Sequence, residues 1–320
     1  MAPLTSLPKQ IFVTSADLER QIEQLKSIGE ARSGLFGPAS VTWSAWHAKP
    51  YSFSGPVARC SCNSPTLGSP MPLRNTRAFS STPLAGSITF GLTFTMMLGT
   101  RDQAIGVARR LHRRHAAIHG ILPETIGPFP GGSGYRANEV AALQWVHASL
   151  IETSVIVHDL VLPPLTVEER ECYYAEKRLT AALFGIPPSS MPEHWSDFVA
   201  YKEGVVSSDV LIVSDAARAI AEQIIASQSS MRLPQWYRGF TAHLLPQRLH
   251  DAFGLDYGKD ERRRAERIVC WLQYVYPRLP QSLRFVGPYH EAVRRLDGQE
   301  IPGFATQWLN LMWIGRRQLG

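Results

Sequence analysis

TRDQAIGVARRLHRRHAAIHG, residues Thr100 to Gly120, has the period of an amphipathic helix. At 3.6 residues per turn, Ala104, Val107, Ala108, Leu111 and Ile118 fall on one stripe, with His115 in its middle. Arg109, Arg110, Arg113 and Arg114 take the opposite, wet side, and His112 and His119 sit at the border. A histidine on an apolar face is commonly a core residue whose ring nitrogens find hydrogen-bond partners. It is also the commonest protein ligand for iron or zinc, and spacing alone does not separate the two readings.

Around this helix, the 320 residues are 44% hydrophobic and 19% charged, enough apolar matter for a substantial core. The formal charge of +6 and the pI near 9.2 come from cationic residues spread over several amphipathic stretches. The densest runs, Arg109 to Arg114 and Arg262 to Arg267, lack the interleaved aromatics and glycines of a nucleic-acid surface, so no nucleic-acid partner is expected. Cys60, Cys62, Cys172 and Cys270 form neither a CxxC pair nor a disulfide framework. Together with an N-terminus that lacks a signal-peptide core, this fits a reducing, cytoplasmic setting. No run is expected to reach the length of a membrane span. Phe90 to Leu98 and the tail Phe304 to Ile314 are too short, and for that tail peripheral contact with a membrane or a partner stays open.

In chain order, the spacing predicts a helix from Ser15, as N-cap, to about Ser33, and a second one capped by Ser40 within GLFGPASVTW. From Thr89 the chain reads as helical almost to its end. After Thr100 to His119 comes a loop ending near Tyr135, then a long apolar helix over Ala137 to Val161 carrying His147. Thr166 and Glu169 form a capping box for the next helix. Further helices are expected over Pro192 to Val205, Ser208 to Ser227, Pro234 to Phe253, Lys259 to Tyr276 and Pro288 to Leu296. The fold class is all-α, a multi-helix single domain.

Several chemistries are excluded by motif. GxSxG, HExxH, a P-loop and a GxGxxG following a strand are all absent from the sequence. His158 with Asp159 reads as a helix-end pair. Two histidines on apolar helices remain, His115 and His147.

FGPASVTW, LGTRDQA, ARRLHRRHAAIHG, ALQWVHASLIET, LTVEERECYY, and LLPQRLHDAFGL through GPYHEAVRRL resemble, in order and spacing, the oxygenase family of the fungal MpaB enzymes and the bacterial rubber oxygenase (latex-clearing protein). The resemblance covers about Gly34 to Trp43 and Thr89 to Leu296. It implies a globin-like helical core, haem b as cofactor, and O2-dependent oxidation of an apolar, isoprenoid-like substrate, with oxidative C=C cleavage among the outcomes. By position it makes His115 the axial iron ligand, His147 a second core position beside the haem, and Thr89 a pocket residue; where the family has a pocket Arg, this chain has Ala85. The corresponding domain is 34–296, between an N-terminal arm and helix (1–33) and a C-terminal tail (297–320).

Between these motifs, residues 47–88 are rich in Ser, Pro and Arg without a hydrophobic period. Read one nucleotide out of phase, PVARCSCNSPTLGS can become GGSLLLQLAHPWVA, close to the family's pattern for this region. The segment is therefore expected to be aberrant, frame-shifted or a disordered insert. If it replaces pocket residues, the alternative to an active oxidoreductase is a non-catalytic haem-binding or structural helical protein.

Overall fold

The first helix of the chain is closed at its N-terminus by side chains. In the computed structural model, which describes residues 10–46, 84–215, 217–219, 235–255, 257–280 and 284–320, α1 spans Ser15–Leu25. Thr14, not the expected Ser15, is its cap: the Thr14 hydroxyl accepts the Asp17 N–H, and the Asp17 carboxylate accepts the Thr14 N–H. Leu18, Ile22 and Leu25 are buried as their spacing predicts. The helix stops well before Ser33, and Gly34, at φ +79°, comes so close to the Gly99 carbonyl that no side chain would fit there.

Helix α2 (Val41–Trp46) has the expected cap, the Trp43 N–H donating to Ser40 Oγ at 3.0 Å. Helices α3 (Leu84–Leu98) and α4 (Arg101–Ala116) follow. Residues 47–83 lie outside the described residues, and α3 is already helical at Leu84, before the expected end of the aberrant segment at Ile88. The loop expected after α4 contains a hairpin of β1 (His119–Ile121) and β2 (Gly134–Arg136), with His119 opposite Arg136. It is the only sheet among the described residues.

Helix α5 (Val140–Val161) starts later than Ala137 because the preceding residues are engaged elsewhere. The Val13 N–H donates to the Asn138 carbonyl, and Asn138 Nδ2 returns a bond to the Val13 carbonyl at 2.8 Å. By length and composition α5 could cross a membrane, which corrects the expectation that no run is long enough; most of its surface is buried in the protein, the mark of a core helix. Helix α6 (Val167–Leu183) has the Thr166–Glu169 capping box. After α7 (Trp195–Ser207), the helix expected over Ser208 to Ser227 does not start at Ser208: residues 208–214 are turn and irregular chain, 215 and 217–219 are helical, and 216 and 220–227 lie outside the described residues. The helix expected from Pro234 to Phe253 is two, α8 (Gln235–Leu244) and α9 (Gln247–Ala252), because Pro246 cannot donate to a continuing helix and instead starts the next. Helices α10 (Lys259–Val275), α11 (Gly287–Leu296) and α12 (Phe304–Ile314) complete an all-α fold.

One core gathers α1, α3, α4, α11 and α12 around Leu18, Phe94, Leu98, Val107 and Ile314. A second joins α5, α6 and α7 around Ile151, Tyr173, Tyr174 and Phe198. Helix α6 contributes to both, with Leu183 in the first and Ala181 in the second.

Candidate functional site

Helix α4 is fixed at its start before its histidines come into play. Thr100 Oγ1 accepts the Gln103 N–H at 3.2 Å, and Gln103 Oε1 accepts the Thr100 N–H at 2.8 Å. Gln103 Nε2 then donates to the Leu319 carbonyl at 2.7 Å, tying the helix to the C-terminal residues. Ala104, Val107 and Ala108 are fully buried, and these small side chains let α4 pack along α3.

The structure distinguishes the three histidines of this stretch. His112, expected at the border, is part of the buried stripe together with Ile105; its Nε2 lies 3.2 Å from the hydroxyl of Ser15 on α1. Burial holds its pKa below the usual value, against the opposing charges of Asp17 and Glu19. His119 is exposed on β1. His115, in the last turn of α4, is partly accessible. Burial nevertheless pushes its pKa down to about 4, and His112 and Arg114 act in the same direction. Among the described residues, no hydrogen bond reaches either ring nitrogen of His115. It is therefore a neutral imidazole with a free lone pair.

His147 is 3% exposed on α5. Its Nε2 lies 2.8 Å from the Lys177 carbonyl of α6, and because a carbonyl only accepts, Nε2 carries the proton. The ring leans on Phe184, and burial pushes its pKa down to about 4 against the effect of that hydrogen bond. Among the described residues, no hydrogen bond or ring contact joins His115 and His147, but α4 and α5 both pack on α6. Thr89 and Ala85 fall on α3, with their side chains outside the described residues.

Lys177 was not legible as a site residue. It is 2% exposed, with Nζ 3.4 Å from Met97 Sδ and over the rings of Tyr173 and Phe36. Burial pushes its pKa down to about 7, against Glu176. The only signal in the sequence is its place on the stripe Tyr173, Tyr174, Lys177, Ala181, where a core residue is due. Its neighbour Glu176 accepts the Val41 and Thr42 N–H groups at 3.0 and 2.7 Å, closing α2. His158 is a helix-end residue, as expected: it meets Asp159, whose carboxylate also accepts the Leu165 N–H and pairs with Arg170.

A cavity of about 150 Å3 opens between α5, α8 and α9, lined by Trp145, Ser149, Ile156 and Leu245 among others. A shallow concavity lies along α10, beside Arg263, Arg264, Arg267 and Cys270. Neither is lined by His115 or His147.

No curated protein and no solved structure matches the chain. The pattern of the family described as "ER-bound oxygenase mpaB/B'/Rubber oxygenase, catalytic domain" matches residues 75–274, more than half of its length. The match begins inside the unpatterned segment 47–88 and runs through α3 to α10, so both candidate histidine helices lie within it. The chain belongs to the family of the ER-bound oxygenase mpaB and the rubber oxygenases and carries that family's catalytic domain.

Proposed function

We propose that this oxygenase-family chain is a haem-b-dependent oxidoreductase that uses O2 to oxidise a small apolar, isoprenoid-like substrate, with oxidative C=C cleavage among its outcomes, and that His115 is its axial ligand. The observation that carries the reading is the free imidazole of His115. It is neutral, half-buried and without a protein partner among the described residues, whereas His112 meets Ser15 and His147 is held by the Lys177 carbonyl. No three His, Cys, Asp or Glu side chains converge among the described residues. One lone imidazole suits a haem iron, whose equatorial ligands come from the porphyrin, better than zinc, which takes three or four protein ligands.

When bound, haem supplies an iron that takes up and activates O2. The protein's part is to hold His115 neutral at the C-terminal turn of α4, aligned by the Thr100–Gln103 cap and the packing of α4 on α3. His147 acts beside the cofactor by locking α5 to α6 through its Nε2–H, and the resemblance assigns Thr89, on α3, to the pocket. The domain assigned to this work is 34–296.

The test is an absorption spectrum of protein expressed with adequate haem, followed by O2 uptake with a polyprenyl substrate. A Soret band that disappears in His115→Ala, together with substrate-dependent uptake, is the expected result. No band in the wild-type chain refutes the cofactor, and a band retained in His115→Ala refutes the ligand. Ala85, standing where the resemblance places a pocket Arg, favours a second reading as a non-catalytic haem protein, which predicts the band without uptake.

A further inference from the structure

Helix α12 is amphipathic the wrong way round. The face turned into the protein carries Thr306, Asn310 and Ile314, all buried, and Asn310 is engaged by the buried carboxylate of Glu291. The face turned to solvent carries Phe304 at 86% exposure, Trp308 at 58%, Leu311 at 50% and Met312 at 52%, with Ile301 at 78% just ahead of the helix. From Phe304 to Met312, at helical spacing, these form one apolar stripe about 12 Å long. A helix folded against a protein core ordinarily hides such a stripe and exposes its polar residues.

At the C-terminal end of the stripe the charge is cationic. Helix α12 itself has no charged residue, and Glu300, ahead of it, is paired with Arg32 at 3.1 Å. Arg316 and Arg317 follow it directly and are exposed. Among the exposed large apolar residues of this face, only Trp308, through its indole N–H, carries a hydrogen-bonding side chain. We infer that α12 docks on a lipid surface with anionic headgroups: Phe304, Trp308, Leu311 and Met312 enter the headgroup–acyl boundary while Arg316 and Arg317 meet the phosphates. An apolar stripe alone gives marginal binding, and the added cationic pair supplies the second attraction that stable peripheral binding needs. The inference does not depend on the haem reading.

The test uses the full chain and vesicles of phosphatidylcholine, alone or mixed with phosphatidylserine. Co-sedimentation with the mixed vesicles is expected, weakened by salt. Phe304→Ser/Trp308→Ser/Leu311→Ser is expected to lower that binding at least about tenfold with an unchanged circular dichroism spectrum. Arg316→Glu/Arg317→Glu is expected to abolish the preference for the mixed vesicles. Absence of binding by the wild-type chain overturns the inference, as does a triple variant that sediments like wild type. A wild-type dimer in solution that the triple variant converts to monomer overturns it too, in favour of a second copy. Each readout is independent of the Soret band.

Discussion

His115 and His147 are the same side chain on two helices that lean on a common third, and burial pushes both imidazoles down to about 4. Their surroundings differ in burial, His147 being buried and His115 half-buried, and in hydrogen bonding. His147 has its Nε2–H spent on the Lys177 carbonyl, 2.8 Å away, whereas no hydrogen bond reaches the His115 ring among the described residues. A depressed pKa thus reports enclosure, and enclosure is shared by structural and ligating histidines. Hydrogen bonding separates them: a buried imidazole with a partner belongs to the core, and a half-buried one without a protein partner is available to a metal.

The comparison breaks most visibly at the cofactor. His115→Ala is expected to remove the Soret band while changing unfolding stability by no more than about 1 kcal/mol, because the residue is partly exposed at the end of a helix. His147→Ala is expected to do the reverse, keeping the band and costing about 3 kcal/mol through the cavity and the lost hydrogen bond. Urea unfolding and absorption spectra of the two variants check both. Equal effects on the band would remove the distinction.

Acid sharpens the same contrast. His147 has a folded pKa of about 4, below the unfolded value of about 6.5, so the unfolded chain binds the extra proton between these limits. The stabilisation from its neutral form is complete above pH 6.5 and is lost as the pH falls toward 4. Glu139, pushed up to about 7 by burial, changes stability in the opposite sense over part of that range, so the wild-type curve alone is a mixture. The difference between wild type and His147→Gln isolates the histidine. It is expected to shrink by at most about 3 kcal/mol between pH 7 and pH 4, and a constant difference would mean that His147 keeps an ordinary pKa.

The period of α4 was legible because its burial follows 3.6 residues per turn, and so were the Thr166–Glu169 cap and the all-α class. The burial of His112, placed at the border by its spacing, was not. His112 meets the hydroxyl of Ser15, 97 residues away in the chain. A contact of that separation leaves no trace in local periodicity. The break at Pro246 was visible as a proline inside an apolar pattern, but the pattern on both sides hid it. In α12 the period pointed the wrong way, since the apolar residues that normally mark a core face are its exposed ones. Lys177 was missed because a charge on a helix reads as solvated unless its neighbours on the stripe are weighed first.

The smallest effect concerns how the two histidine helices are supported. Gln103 closes the first turn of α4 through Thr100 and also holds the Leu319 carbonyl, whose own N–H is taken by the Glu291 carboxylate at 2.9 Å. Gln103→Ala removes both bonds made by that side chain and is expected to cost about 1 kcal/mol. Because α5 is joined to the N-terminal arm and to α6 rather than to this corner, hydrogen exchange is expected to speed up in the first turn of α4 and in residues 317–320, but not in α5. Exchange that rises equally in α5 would mean that the two helices open as one cooperative unit; the contrast between His115 and His147 would then lie in the chemistry of their rings alone.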